Sequence, residues 1–418
     1  VTEARIGFVS TRLAGTDGVS LEVVKWVEVL ERLGHQCFFF AGELDWEPER
    51  SMLVPQAHFS YPDVLAITDD LFNDYIRSAQ TSQRVQILKD LLKQRLYEFI
   101  DRYQIDLLIT QNAQSIPMHV PLGLALAELI AETSIPTIAH HHDFSWERTR
   151  FTVSAAEDYL NAAFPPALQS IHHVVINSMA GRQLAMRRAV NSTLIPNVMP
   201  FESPPPPPDE YSSHLRADLG IAPGEILLLQ PTRIVPRKRI ERSIELMSRL
   251  QAPATLLISH QAGDEGLAYL EYLRSYADLL KVRVLFGAEI VAEQRAKTAD
   301  GRRIYSLADA YQQADLVLYP SSIEGFGNAF LEAIYYSRPL VVSAYEIYRV
   351  DIQPKGFDVI VFDEFITTDT VHATQALLAD PQRIEAMCAH NYALAQRFYS
   401  FTALEKRLVG LLQDIVGL

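Results

Sequence analysis

Residues 324 to 332 read EGFGNAFLE, with a carboxylate at each end and two glycines between them. Each carboxylate can accept two hydroxyl hydrogens, so such a pair suits the diols of a sugar or a ribose. Gly325 and Gly327 let backbone approach a ligand closely, flanking Phe326. A helix is expected to begin near Asn328, with the amides of Gly327 to Phe330 pointing outward. Glu324 then stands before the helix and Glu332 one to two turns into it, on the same side. Neither glutamate is expected to hold the core.

Upstream, RIVPRKRIER (residues 233–242) is a basic cluster in an acidic chain. Arg233 falls in a loop after an apolar strand and Lys238 near the first turn of a helix. Two cations beside free amides form a cradle for a diphosphate. Arg237, Arg239 and Arg242 are expected to face solvent or to pair with Glu241 and Glu245. In the first half, HHHD places His140, His141 and His142 before Asp143. Neighbours on a strand point to opposite faces, so at most two of the three share a site. No second cluster completes a metal shell, although a histidine pair recurs at His172 and His173. A single histidine that hydrogen-bonds or handles a proton is the better reading. Gly15, Thr16, Asp17, Gly18 and Ser20 make a turn into a helix, whose first amides favour an anion or a polar group. The dinucleotide fingerprint G-x-G-x-x-G is absent here and after EILLLQ, which argues against a dehydrogenase.

Short β-branched or aromatic runs deliver these residues. RIGFVS, QCFFFAG, DLLITQ, PTIAH and HHVVINS alternate with helical patterns in the first half. EILLLQ, ATLLISH, VRVLFG, DLVLYP, PLVVSA and DVIVFD repeat the plan in the second. Such alternation predicts an α/β chain of βαβ units with parallel sheets. At 418 residues the chain suits two domains rather than one core. Between the halves, ESPPPPPDE carries five prolines, a semi-rigid strap of roughly 15 Å in polyproline II. The boundary is drawn near 205: an N-terminal Rossmann-like domain over 1–204 and a C-terminal one over 205–400. The last helix, 401–418, caps the second domain or returns to the first; both placements stay open. Open parallel sheets bind ligands beyond the carboxyl ends of their strands, so two facing domains would form a cleft from those ends.

The net charge of −14 argues against a nucleic-acid partner, whose phosphates need neutralising. No apolar stretch approaches a bilayer span, and the first residues are too polar for a signal peptide. Cys37 and Cys388 lack metal-ligand spacing and read as packed thiols in a reducing cytoplasm.

Taken together, GTDGVS, the strand-end histidine, VVINS, LIPNVMPF, RIVPRK, LADAYQQADLVLYPS and EGFGNAFLEA resemble a family 4 retaining glycosyltransferase of the GT-B fold, over nearly the whole chain. The resemblance implies a nucleoside diphosphate sugar as donor, of the UDP-glucose or GDP-mannose type. Arg233 and Lys238 would hold the diphosphate, Glu324 the transferred sugar, Gly325 to Asn328 sugar and phosphate, and Glu332 the ribose. A histidine would lie under the reacting carbon: His141 is preferred, with His140 and His142 open. Gly15 to Ser20 would serve the acceptor or the phosphate. The family needs no cofactor and no metal, and no D-x-D triplet occurs in this chain. Same-face attack assisted by the leaving phosphate would retain the anomeric configuration. The segment from Tyr345 to Phe357 resembles a subgroup associated with small glycosides such as mannosylglucosylglycerate, favouring a small soluble acceptor. The stretch LLISHQAG departs from the family by lacking a glycine pair. Competing readings are a GT-B nucleotide-sugar epimerase, a phosphorylase, or a non-catalytic sugar-nucleotide sensor.

Overall fold

The computed structural model describes residues 3–260 and 267–417. Residues 261–266, where the glycine pair is lacking, lie outside the described residues. Each apolar run named above becomes a strand, and the strands fall into two compact units. One unit is Val1–Val198 with Phe401–Leu418; the other is Met199–Ser400.

The first unit holds β1 (Arg5–Val9), β2 (Gln36–Ala41), β3 (Ser51–Leu53), β4 (Leu107–Gln111), β5 (Thr137–His141), β6 (Ile171–Val175) and β7 (Ser192–Leu194). They form one parallel sheet in the order β3-β2-β1-β4-β5-β6-β7. Because successive side chains alternate in direction, each strand feeds two cores. Ile6, Phe8, Phe39, Leu107 and Ile109 enter one; Val9, Phe38, Phe40 and Leu108 enter the other. Helix Gly18–Arg32 presents Val23, Trp26, Val27 and Leu30 to the first of these cores. Helix Phe401–Val416 adds Leu404, Leu408, Leu411 and Leu412 to it. The end of the chain is thus part of the first unit.

In the second unit β8 (Ile226–Gln230), β9 (Ala254–Ile258) and β10 (Arg283–Phe286) precede a small three-stranded sheet. That sheet is made of β11 (Val291–Ala292), β12 (Ala296–Lys297) and β13 (Arg303–Ser306). β14 (Leu316–Tyr319), β15 (Leu340–Ser343) and β16 (Ile360–Phe362) then complete the main sheet. Its order is β10-β9-β8-β14-β15-β16, all parallel. The proline run, residues 204–208, lies in this unit, where Gln312 Nε2 donates to the Pro206 carbonyl at 3.0 Å.

Both sheets reverse their strand order beside their first strand, between β1 and β4 and between β8 and β14. Loops diverge at such a reversal and leave room for a ligand. Arg233, Lys238 and Glu324 follow β8 and β14, and Gly15 to Ser20 follow β1, whereas His140 to His142 lie at the end of β5, one strand from the reversal. Among the described residues, no helix is long and apolar enough to cross a membrane. Cys37 and Cys388 are buried and free, and burial pushes both thiols up, Cys388 to about 11.

Candidate active site

In the second unit β8 and β14 pair through Leu316↔Leu228 and Val317↔Leu229, so the loops that follow them start as neighbours. The first loop turns through a short 3-10 segment, Pro236–Lys238, before helix Ile240–Arg249 begins. The Lys238 amide donates to Val235 O at 2.9 Å and the Arg239 amide to Pro236 O at 3.0 Å. These two amides are therefore spent inside the turn and add nothing to a phosphate cradle, contrary to the expectation of free amides there. The turn aims Lys238 inward, leaving the residue 8% exposed.

There it meets Glu324. Lys238 Nζ donates to Glu324 Oε1, and Arg237 Nη1 stands 3.5 Å from Oε2. The two loops are also tied through backbone, with Ser322 N donating to Arg237 O at 2.9 Å and Arg237 Nη1 to Ile323 O at 3.3 Å. Arg237 thus faces the site rather than pairing with Glu241 or Glu245, whereas Arg242 does pair with Glu245 at 2.8 Å. Burial pushes the Glu324 carboxyl up, but Lys238, with Arg237 behind it, outweighs burial and leaves it below the ordinary glutamate value. Burial lowers the Lys238 ammonium despite Glu324. Gln230, at the end of β8 and fully buried, supports the turn from below. Its Nε2 donates to Lys238 O at 3.1 Å while its Oε1 accepts from Ser243 Oγ at 2.6 Å.

Arg233 is exposed on the same loop. His260, two residues past the end of β9, joins the cluster. Burial, followed by the charges of Arg233 and Lys238, holds its imidazole below the ordinary value. Gly327 precedes helix Asn328–Tyr335 with φ +118. A Cβ there would lie 2.4 Å from Tyr345 Oη, which donates to the Phe326 carbonyl at 3.0 Å. Conformation and space both demand glycine. The Phe330 amide donates back to Gly327 O at 2.9 Å, so the set of outward amides ends before it. Glu332 accepts from the hydroxyl of the buried Tyr311 at 2.8 Å. Both glutamates therefore have internal partners, a structural role that the sequence reading did not give them.

In the first unit the turn after β1 is closed by its own carboxylates. Asp17 caps helix Gly18–Arg32, accepting from Val19 N at 3.0 Å and Ser20 N at 3.2 Å. It also accepts from Ser20 Oγ at 2.6 Å, and Gly15 N donates to Asp45 Oδ2 at 2.7 Å. The amides of Val19 and Ser20 are thus occupied by the aspartate at the cap position, and that of Gly15 by Asp45. Behind this turn Glu22 is fully buried, paired with Lys25 at 2.9 Å. Burial raises its carboxyl and Lys25 only partly offsets that.

The histidines separate clearly. His141 is 1% exposed, with Nδ1 bonded to Ser115 Oγ and Nε2 to His173 Nδ1 at 2.9 Å. Both ring nitrogens of His141, the histidine preferred from sequence, are thus bonded inside the unit. His140 is equally buried, stacked on Trp26 with ring centroids 4.3 Å apart. His142 follows the last residue of β5 and is the partly exposed member of the three. Burial lowers its imidazole to about 4; Asp143 and Asp17 oppose the shift and Lys25 adds to it. These electrostatic neighbours place it beside the turn that holds Asp17. Asp143 is held by Asn112 Nδ2 at 2.7 Å and by Arg148 Nε at 2.7 Å. Among the described residues, no group of three or more His, Cys, Asp or Glu is arranged to hold a metal ion.

The molecule thus places a charged cluster at the strand-order reversal of the second unit, and neutral imidazoles and amides at the neighbouring ends of β4 and β5 in the first. Known proteins give that pattern a class. A family model described as Glycosyl transferases group 1 matches residues 233–380, the stretch that contains the charged cluster. The mannosylglucosylglycerate synthase of Thermotoga maritima is 32% identical, over 96% of this chain and 98% of its own. The enzyme of the same name from Petrotoga mobilis is 31% identical, over 85% and 86%. A crystal structure of Anabaena HepE in complex with UDP and glucose superposes with a TM-score of 0.66, covering 99% of this chain at 14% identity. A sucrose-phosphate synthase from Thermosynechococcus elongatus does so with 0.69 at 16% identity. The chain belongs to the group 1 glycosyl transferases, with the GT-B fold. It is a hexosyltransferase.

Proposed function

We propose that this hexosyltransferase moves a mannosyl group from a nucleoside diphosphate mannose to glucosylglycerate, with retention of anomeric configuration. The observation that carries this reading is the joined assembly of Arg237, Lys238 and Glu324, with Arg233 exposed beside it. Support for the substrates comes from the names of the two relatives, each alike over most of its length.

In this reading Arg233 and Lys238 bind the diphosphate, and Lys238 is shared between phosphate and Glu324. Glu324 accepts hydrogen bonds from hydroxyls of the transferred sugar, and Glu332, fixed by Tyr311, takes those of the ribose. The bond between the anomeric carbon and the phosphate oxygen breaks, and its electron pair leaves with the diphosphate. The acceptor hydroxyl oxygen bonds to the same face of that carbon and its proton passes to the departing phosphate oxygen. Cations already in place stabilise the charge that develops there. In the first unit we assign His142, rather than His141, to the substrates: of the three consecutive histidines it is the residue that is partly exposed. No cofactor or metal is required in this scheme, and two buried free thiols suit the cytoplasm.

The test is a melting-temperature panel of GDP, UDP, GDP-mannose and UDP-glucose, followed by product analysis with glucosylglycerate in EDTA. Stabilisation by a mannose nucleotide and a retained mannoside product are expected. Hydrolysis or epimerisation without an acceptor, a phosphate-dependent reaction, or activity lost in EDTA and restored by Mg²⁺ would overturn the scheme.

A further inference from the structure

Two neighbouring strand ends in the first unit grip each other beyond their ladder. Gln111 is the last residue of β4 and pairs in register with His140 of β5. The next residue, Asn112, turns left-handed at φ +57 and donates its amide to His140 O at 2.9 Å. Asn112 Oδ1 accepts from His142 N at 3.0 Å and Asn112 Nδ2 donates to Asp143 at 2.7 Å. The backbone around His142 is thereby fixed from β4.

Its ring is fixed from the same place. Gln111 Oε1 lies 3.0 Å from His140 Nδ1 and 3.3 Å from His142 Nε2. A carbonyl oxygen has two lone pairs and no hydrogen, so both ring nitrogens donate to it. His140 then carries its proton on Nδ1, leaving Nε2 as a bare lone pair. His140 Nε2 is buried without a hydrogen-bond partner among the described residues, and so is Gln111 Nε2, whose N–H groups stay unsatisfied while Oε1 faces the two rings. By the same argument His142 carries its proton on Nε2 and offers Nδ1. Behind both rings, His140 lies on Trp26, and the His140 and His142 rings are 4.4 Å apart.

We infer that Gln111 is a positioning residue for the transfer reaction, holding His142 in the Nε2-protonated form with its Nδ1 lone pair presented to substrate. The inference rests on the assignment of His142 made above. Gln111 is 1% exposed and touches no reacting atom in this scheme; it acts through the ring. The charged and titratable groups that face His142 are Asp17 from the first turn, Lys25 from the first helix, Asp143 beside it in the chain, and His140 and His141 on β5.

The experiment uses the full chain with His142→Gln, Gln111→Glu and Gln111→Met. His142→Gln is expected to lower kcat at least tenfold; near wild-type turnover would remove the assignment of His142 itself. Gln111→Glu keeps the shape and the acceptor but adds a negative charge, so the acid limb of the kcat profile should rise by a unit or more. Its turnover at pH 8 should stay within a few-fold of wild type. Gln111→Met keeps the bulk and removes the acceptor, so kcat should fall about tenfold with the donor KM within twofold. If His142→Gln is inactive while both Gln111 variants keep the wild-type profile and kcat, the positioning role is overturned and the histidine assignment stands. Nitrogen-15 shifts of the His142 ring in the unmutated chain decide the case even if a variant fails to fold. A protonated Nε2 is expected, and a protonated Nδ1 would refute the inference.

Discussion

The two units solve the same problem in opposite ways. Each must place polar groups at the ends of apolar strands. The first keeps them neutral: His140, His141 and His142 are held below the ordinary histidine value by burial, and Gln111, Asn112 and Ser115 are their partners. The second keeps its groups charged and sets them against each other. Two buried glutamates sharpen the contrast. Glu22 has one cation, Lys25, and its carboxyl is raised; Glu324 has two, Lys238 and Arg237, and its carboxyl is lowered. At Glu22 burial outweighs Lys25, whereas at Glu324 Lys238, helped by Ser321 and then Arg237, outweighs burial.

The largest expected difference between the units is in acid. In the first unit His119, His142 and His173 are each lowered from 6.5 to about 4, with burial the leading cause. The unfolded chain would protonate these rings below 6.5 while the folded chain keeps them neutral until about 4. Their contribution is therefore complete above pH 6.5 and lost as the pH falls toward 4, roughly 3 kcal/mol for a fully buried ring such as His119. The Lys238–Glu324 pair behaves differently. Its carboxyl is lowered, so its contribution persists until the pH drops below the ordinary glutamate value of 4.5. Trp26, Trp46 and Trp146 are the chain's three tryptophans and all lie in the first unit. Tryptophan emission should thus report unfolding between pH 6.5 and 4 while part of the ellipticity remains. Loss of both signals together would break the comparison.

Next in size is Lys238→Ala. It leaves Glu324, whose side chain is 10% exposed, with Arg237 as its remaining cation, and should cost about 1–3 kcal/mol in urea unfolding, besides weakening diphosphate binding. Lys238→Met with Glu324→Gln should recover most of the stability and none of the binding. If the double variant is as unstable as the single, the pair is not what holds the loops. Gly327→Ala follows, at about 1–3 kcal/mol, because its Cβ meets Tyr345 Oη and its φ is +118. Adding Tyr345→Phe should return part of that cost; full recovery would mean that the conformation itself is unstrained. Glu332→Gln should raise the donor KM about tenfold with kcat nearly unchanged, the signature of an interaction present before and during reaction. A matching fall in kcat would move Glu332 to the transferred sugar. Arg239→Ala should change donor binding and stability by less than about 0.5 kcal/mol, and a loss equal to that of Arg233→Ala would mean a diffuse basic patch.

What sequence could reveal followed the same division. The charged site was legible because its residue types are rare inside a protein: Lys238, Glu324 and Glu332 stand out in apolar surroundings, and an upstream cation pair with E-x7-E is specific. The neutral site was less so. Three consecutive histidines alternate in direction, but which one ends outside depends on where β5 stops, and that is set by its register with β4. Gln111 and Gln230 each close an apolar strand, in DLLITQ and EILLLQ, and a lone polar residue there was the available signal for both. The long strands were plain from their β-branched runs. SML at β3 and STL at β7 were not read, being three-residue edge strands with too little pattern. Amide availability was also misjudged at three helix starts, because local carbonyls and Asp17 claim those donors, and sequence alone does not reveal which partner wins.

The return of helix Phe401–Val416 to the first unit has a consequence for the order of synthesis. A chain made from its N-terminus has all of Met199–Ser400 before that helix exists, so the second unit can close while the first is still incomplete. Until then Trp26, Phe8 and Ile109 lack the cover of Leu404, Leu408, Leu411 and Leu412, each worth roughly 1.5–3 kcal/mol when buried. The first unit, whose strands are all made before residue 199, is thus completed only once residues 401–416 have left the ribosome.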